Sequence, residues 1–372
     1  MIGSLIAGGR SASRIGCRFA PRAALAAALI AALIAAALAA CSPAADEASR
    51  AQLAAMHPAP APLPDPALTP AALRTTDAQL LPLRRWLPQG EQPRAVILAL
   101  HGFNDYSNAF DASARIWAMR GIATYAYDQR GFGAAPRRGL WPGSEALAID
   151  AVTAATLLRA RYPGVPLYLL GESMGGAVAA LAASGEAGIR PAPVDGVILS
   201  APAVWARESM QFVPRVALWV GVRLFPGWVL TGESLHILAS DNIPMLIALG
   251  RDPMVIKGAR IDTVHGLVDL MDRTMAAAPH IEQPLFVLYG AHDALIPIDP
   301  VRRFVAGLPA DRVAQDRFAF YPQGYHMLLR DLEGPRVAAD VASWVLDRAA
   351  ALPSHADLAG ASRPWPPLPA GG

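Results

Sequence analysis

The sequence predicts an α/β fold: a mostly parallel central sheet flanked by helices, with a mainly helical cap inserted between two of its strands. Three observations carry this. Short apolar runs recur through the middle of the chain without polar alternation, the pattern of strands buried on both faces. Stretches with helical spacing separate them, as parallel crossovers require. Each run also ends in residues of unusual chemistry, and open parallel sheets bind ligands outside the carboxyl ends of their strands.

Taken in order, residues 77–87 can supply an antiparallel pairing at the edge of the sheet. The runs follow at 96–100, ending in His101-Gly102, and at 123–127, ending in Asp128. Three more lie at 167–170 before Gly171, at 197–199 before Ser200-Ala201-Pro202, and at 285–289 before Gly290; a sixth lies at 317–321. Helical spacing marks residues 107–120, 144–161, 174–186, 300–307 and 335–349. One interval breaks the rhythm. Residues 203–280 are far longer than a crossover needs and are rich in large apolar side chains such as Trp205, Phe212, Trp219, Phe225 and Trp228. Long insertions in compact domains are usually functional lids, so this segment is read as the cap.

The first forty residues do not belong to that fold. Arg10, Arg14, Arg18 and Arg22 precede an unbroken small-apolar run over residues 23–40, the order of a secretory signal. The run ends in Leu38-Ala39-Ala40-Cys41, which resembles the bacterial lipobox. That resemblance implies removal of residues 1–40 and lipidation of Cys41. With Ser42 rather than an aspartate next in line, it implies sorting to the periplasmic face of the outer membrane of a Gram-negative cell. The competing reading is a plain transmembrane anchor, since about 18 apolar residues nearly span a bilayer. Cysteine usage favours processing: the chain holds only Cys17 and Cys41, so the mature form would carry no free thiol into an oxidising compartment. Residues 41–70 are an Ala/Pro-rich linker, residues 71–350 the folded domain, and residues 351–372 are expected to be a disordered tail. Removing the four leader arginines from the net charge of +2 leaves −2, and no basic run or stacking aromatic cluster follows, which argues against nucleic acid as a partner.

The chemistry centres on Gly171-Glu172-Ser173-Met174-Gly175-Gly176, which follows a buried strand and opens a helix. This matches the G-x-S-x-G nucleophile elbow, whose glycines leave room for a strained strand-to-helix turn presenting the serine. A glycine-rich turn whose serine merely caps the helix is the bland alternative. Serine is a poor nucleophile without a base oriented by a third group. In chain order the acid is Asp293, just past the strand at 285–289, and the base is His326, just past the strand at 317–321. Among rivals, Asp299 is expected to cap a helix that Pro300 begins, and His292 to make a structural contact. His236, His265 and His280 lie in or near the cap; His57 and His355 fall in the linker and tail. The oxyanion formed in acyl transfer needs two donors. Backbone N–H groups of Met174 and Phe103 are the candidates, with buried His101 shaping the loop.

With these residues in place, the region from about 75 to 349 resembles the monoacylglycerol lipase and lysophospholipase branch of the α/β-hydrolases, which shares its signature with proline-iminopeptidase-like serine hydrolases. The resemblance rests on His101-Gly102-Phe103, Asp128-Gln129-Arg130-Gly131-Phe132-Gly133, the elbow, Gly290-Ala291-His292-Asp293 with Pro297, and Gly324-Tyr325-His326. It implies a serine hydrolase acting on lipid-like carboxylic esters, with no cofactor and no metal, and a structural role for Asp128 and Arg130. Phe103-Asn104-Asp105 departs from the small residue followed by Gly-Glu common in animal monoacylglycerol lipases. Two other readings are an N-terminal aminopeptidase and a non-catalytic lipid-binding envelope protein. The first needs an anionic clamp for the substrate amine, and Glu208, Glu233 and Asp241 are only scattered along the cap.

Overall fold

The computed structural model describes residues 63–90, 92–231, 237–310, 315–357 and 365. The signal segment 1–40, Cys41 and the linker up to residue 62 lie outside them, as do Glu233 and His236. Among the described residues no helix is long and apolar enough to cross a membrane.

A nine-stranded sheet runs in the order β1-β2-β3-β5-β4-β6-β7-β10-β11. Six of its strands form the parallel body: β5 (Ile122–Tyr127), β4 (Ala95–Leu100), β6 (Leu167–Glu172), β7 (Gly196–Ser200), β10 (Leu285–Gly290) and β11 (Arg317–Tyr321). All six runs read from the sequence are strands. Every residue of β4, β5, β6 and β10 is buried, which is why these runs show no polar alternation. The antiparallel part is larger than the sequence indicated. β3 (Leu80–Trp86) pairs with β5, but β2 (Ala72–Arg74) and β1 (Ala67–Leu68) continue the sheet beyond it, so β3 is not the edge and the sheet begins inside the expected linker.

Period-2 alternation sends each strand's side chains into two separate cores. On one face Val96, Leu98 and Leu100 join α2 (Ser144–Arg161), α3 (Met174–Ser184), α6 (Ile261–Ala277) and α7 (Ile298–Ala306). On the other, Ala95, Ile97 and Ala99 meet α1 (Asp111–Met119) and α8 (Gly334–Leu346). The Trp117 indole N–H donates to Ala338 O at 2.8 Å, tying α1 to α8. All eleven residues of α3 are buried, as expected of a helix that is apolar all round.

The inserted interval is less of a cap than its length suggested. α6 belongs to the core: Leu270 is fully buried and the Thr274 hydroxyl donates to Ala177 O at 3.2 Å. The outer part holds α4 (Phe212–Leu224), α5 (Ile243–Arg251) and a small antiparallel pair, β8 (Val229–Thr231) with β9 (Gly258–Arg260). Its apolar residues are exposed: Phe212, Val213, Leu224 and Trp228 each keep more than 60 % of their surface in solvent. The start of the expected tail also packs. Leu352 and Ala356 are buried beside α8, and the Trp365 ring packs at a tilt with its centroid 5.1 Å from that of Phe318. Composition marked that segment as disordered; among its described residues, Leu352, Ala356 and Trp365 pack against the folded domain.

Candidate active site

Ser173 stands where β6 becomes α3, with φ 54° and ψ −117°. A non-glycine residue in this region costs about 1–3 kcal/mol and persists only where its surroundings impose it. The surroundings here are backbone. A Cβ on Gly171 would lie 2.1 Å from Gly175 O, and one on Gly175 would lie 2.0 Å from Leu100 O. The two glycines let the elbow close on itself and let α3 press against the end of β4. Ser173 occupies the N-cap position, yet its hydroxyl makes no capping bond. That removes the bland reading of a serine that only caps a helix.

The loop after β4 meets the elbow directly. A Cβ on Gly102 would touch Ser173 Cβ at 3.4 Å. Among the described residues the backbone N–H groups of Phe103 and Met174 donate to no acceptor, so the two groups expected to hold an oxyanion are free. His101 is a buried scaffold residue, the structural reading preferred for it from the sequence. Its Nε2 accepts from the Gln129 N–H at 2.9 Å, so Nδ1 carries the proton and donates to Gly102 O at 2.8 Å. Burial holds this imidazole below its ordinary pKa. Asp128 is structural too, accepting from Ser107 and from the Ala134 N–H.

The loops after β10 and β11 are built against each other. Gly290 approaches Gly324 so closely that a Cβ would lie 2.4 Å from the Gly324 carbonyl, and the His292 N–H donates to Gly324 O at 2.9 Å. The Asp293 side chain is fully buried. Its Oδ1 accepts from the N–H groups of Leu295 and Ile296, both at 2.9 Å, and its Oδ2 accepts from His326 Nδ1 at 2.9 Å. Burial pushes the His326 imidazole down, but the Asp293 carboxylate, through its charge and hydrogen bond, carries the balance above the ordinary value. With Nδ1 committed, Nε2 is the ring nitrogen left for chemistry. No hydrogen bond closes the gap from the Ser173 hydroxyl to His326 among the described residues; contacts of this kind often tighten only when substrate binds.

The rival residues fall away. Asp299 is exposed in the first turn of α7, paired with Arg302 at 3.3 Å; Pro297, not Asp299, holds the N-cap. His292 stacks on Tyr325 with ring centroids 5.1 Å apart, and His265 lies beside Arg207 and Asp269. No cluster of metal-ligating side chains occurs among the described residues.

One buried group was not read from the sequence. Arg330 donates to Asp105 at 2.7 Å and to Glu172 at 2.6 Å, placing an ion triad behind the elbow. A hint was available: Glu172 is a charged residue at the end of an otherwise apolar strand.

A doubly wound sheet with a strained serine after one parallel strand and a buried Asp–His pair after two others defines a hydrolase of the α/β-hydrolase type. Residues 91–333 match the serine aminopeptidase S33 family, and the chain belongs to it. It is 30 % identical over 268 residues to the monoacylglycerol lipase of Mycolicibacterium smegmatis, covering 70 % of this chain and 91 % of that one. It is 28 % identical over 286 residues to the monoglyceride lipase of Homo sapiens, covering 75 % and 90 %. The crystal structure of Paleococcus ferrophilus monoacylglycerol lipase superposes with a TM-score of 0.61 at 21 % identity, covering 72 % of this chain and 99 % of that one.

Proposed function

We propose that the protein is a serine carboxylic ester hydrolase acting on lipid-like esters, monoacylglycerols or lysophospholipids, through an acyl-enzyme. The observation that carries this is the Asp293–His326 bond, which orients the imidazole and leaves Nε2 as its only free nitrogen. In the first half-reaction Ser173 Oγ attacks the ester carbonyl carbon while His326 Nε2 takes the hydroxyl proton. The resulting oxyanion is held by the N–H groups of Phe103 and Met174; each such donor contributes about 10²–10³ in rate. Collapse breaks the bond to the alkoxy group, which leaves with the proton from His326. Water, deprotonated by the same imidazole, then releases the acid and restores the serine.

The lipid-like substrate is supported by the monoacylglycerol lipases among the relatives and by the apolar cap. Walls with few polar groups suit an acyl chain. Cys41 would carry the lipid that tethers the enzyme to the periplasmic face of the outer membrane, beside such substrates. A fluorophosphonate probe should label the wild type and not Ser173→Ala. Labelling that survives in that variant refutes the mechanism. Palmitate incorporation should likewise vanish in Cys41→Ser, and persistence of the label refutes the anchor.

The family's descriptive name favours a second reading, an aminopeptidase. Comparison of p-nitrophenyl esters with aminoacyl-nitroanilides separates the two: turnover of the anilides alone would establish the peptidase.

A further inference from the structure

We infer that Arg330 is a positioning residue, a buried clasp that holds the oxyanion loop, the nucleophile elbow and the histidine loop in register for catalysis. The inference rests on the function proposed above. Each partner lies within a few residues of a reacting group. Asp105 is two residues past Phe103, Glu172 immediately precedes Ser173, and Arg330 is four residues past His326. The guanidinium forks between the two carboxylates, at 2.7 Å to Asp105 Oδ2 and 2.6 Å to Glu172 Oε1, and all three side chains are at least nine-tenths buried. The loops so joined come from β4, β6 and the turn after β11, which share no covalent connection shorter than a whole crossover.

A purely stabilising role does not account for this arrangement. Burying one cation with two anions is expensive, and well-packed apolar side chains at such sites are often as stable or more so. The cluster is also unsaturated: Arg330 Nε and Glu172 Oε2 are buried with no hydrogen-bond partner among the described residues. What the fork supplies is direction, since a planar guanidinium fixes two carboxylates in one geometry as an ammonium does not. The oxyanion loop needs that restraint. Asn104 sits at φ 65°, and the loop is held at its start by the bond from Gln129 Nε2 to His101 O. Asp105 is the corresponding tether at its far end. Errors of about 1 Å in such a site cost about 10² in rate.

The clasp also sets the field at the imidazole. His326 faces Asp293 from the loop after β10, Glu172 from the end of β6, and Arg330 from its own turn. Behind them stand Asp105 across the fork, Asp331 on the same turn and Asp241 from the cap segment. Glu172 favours the imidazolium and Arg330 opposes it. Removing one or the other should therefore move the pH profile in opposite directions, which loss of fold does not do.

The test measures kcat, KM and the acid limb of kcat/KM on a soluble p-nitrophenyl ester for wild type, Arg330→Gln, Arg330→Lys and Glu172→Gln, with a melting curve for each. Arg330→Gln should lower kcat about 10²-fold with KM within about threefold. Its acid limb should rise, because the cation that opposes the imidazolium is gone. Glu172→Gln should move the limb down. Arg330→Lys should restore the limb, because the charge returns, but only part of kcat, because the fork does not. Folded variants whose acid limbs coincide with wild type, or move the same way, overturn the clasp. If Arg330→Gln does not fold, the near-isosteric Glu172→Gln decides alone: a lowered limb supports the clasp and an unmoved one overturns it. Turnover that survives in Ser173→Ala would overturn the proposed function and the clasp with it. Turnover that depends on Ser173, with coincident acid limbs, overturns the clasp only.

Discussion

Replacing Asp293 by asparagine tests the proposed mechanism at its most constrained point. The two oxygens of this carboxylate are not equivalent. Oδ1 accepts from the N–H groups of Leu295 and Ile296, and neither donor has a substitute acceptor if a side-chain NH2 is turned toward it. An asparagine at this position therefore keeps its oxygen on those donors and points its NH2 at His326 Nδ1. That nitrogen must then accept, so the imidazole proton moves to Nε2, the atom that has to receive the Ser173 proton. The geometry survives and the tautomer is wrong. In serine hydrolases this fault costs about 10⁴ in kcat, equivalent to about 5.4 kcal/mol of barrier. The hydrogen bonds around residue 293 are conserved in number, so the melting temperature should change little. The assay is steady-state turnover of a soluble ester beside a thermal melt. A folded Asp293→Asn enzyme retaining kcat within tenfold of wild type would refute the roles given to both Asp293 and His326.

The other expectations are more direct. Gly175→Ala puts a methyl 2.0 Å from Leu100 O and 2.8 Å from His101 O, so β4 and α3 must separate by more than an ångström; a destabilisation of about 3 kcal/mol or more and loss of activity should follow, read by denaturant unfolding and turnover. Because the Asp293 carboxylate raises the His326 pKa despite burial, activity should be full above that pKa and fall as pH drops through it; the acid limb of kcat/KM should lie above the ordinary imidazole value of 6.5, and a limb at or below 6.5 contradicts the pairing. Serine at Phe212, Trp219 and Trp228 removes apolar surface that is already exposed. Each substitution should alter stability by no more than about 0.5 kcal/mol, leave soluble short-chain ester turnover unchanged, and reduce turnover of dispersed long-chain monoacylglycerol; equal effects on both substrates count against a lipid-facing cap.

The strands of the parallel body were legible because burial on both faces leaves a signature within five or six residues. Ser173, Asp293 and His326 stood out as candidates because each lies near a glycine that close backbone contact demands: Gly171 against Gly175, Gly175 against Leu100, and Gly290 against Gly324. Less was visible where one local pattern admits two structures. α6 has the apolar content of a cap helix, and only its contact with α3 shows that it belongs to the core. The Ala/Pro-rich ends match a disordered composition, yet β1 and Leu352 are held because the sheet edge and α8 offer partners. Asp299 met the sequence rule for a helix cap, but Pro297 took that position when α7 began earlier than expected.

From the amino-acid order alone came the alternation of strand and helix, the elbow motif, and the candidate serine, acid and base in chain order. All of these depend on neighbours within a turn or a strand length. Tertiary structure alone decided that β4, β6, β10 and β11 place their ends along one edge, that the N–H groups of Phe103 and Met174 are left free beside Ser173, and that Arg330 reaches partners 158 and 225 residues away. The physical reason is that a hydrophobic pattern specifies which face is buried, not against what, and a buried charge shows its partner only once the chain has closed around it.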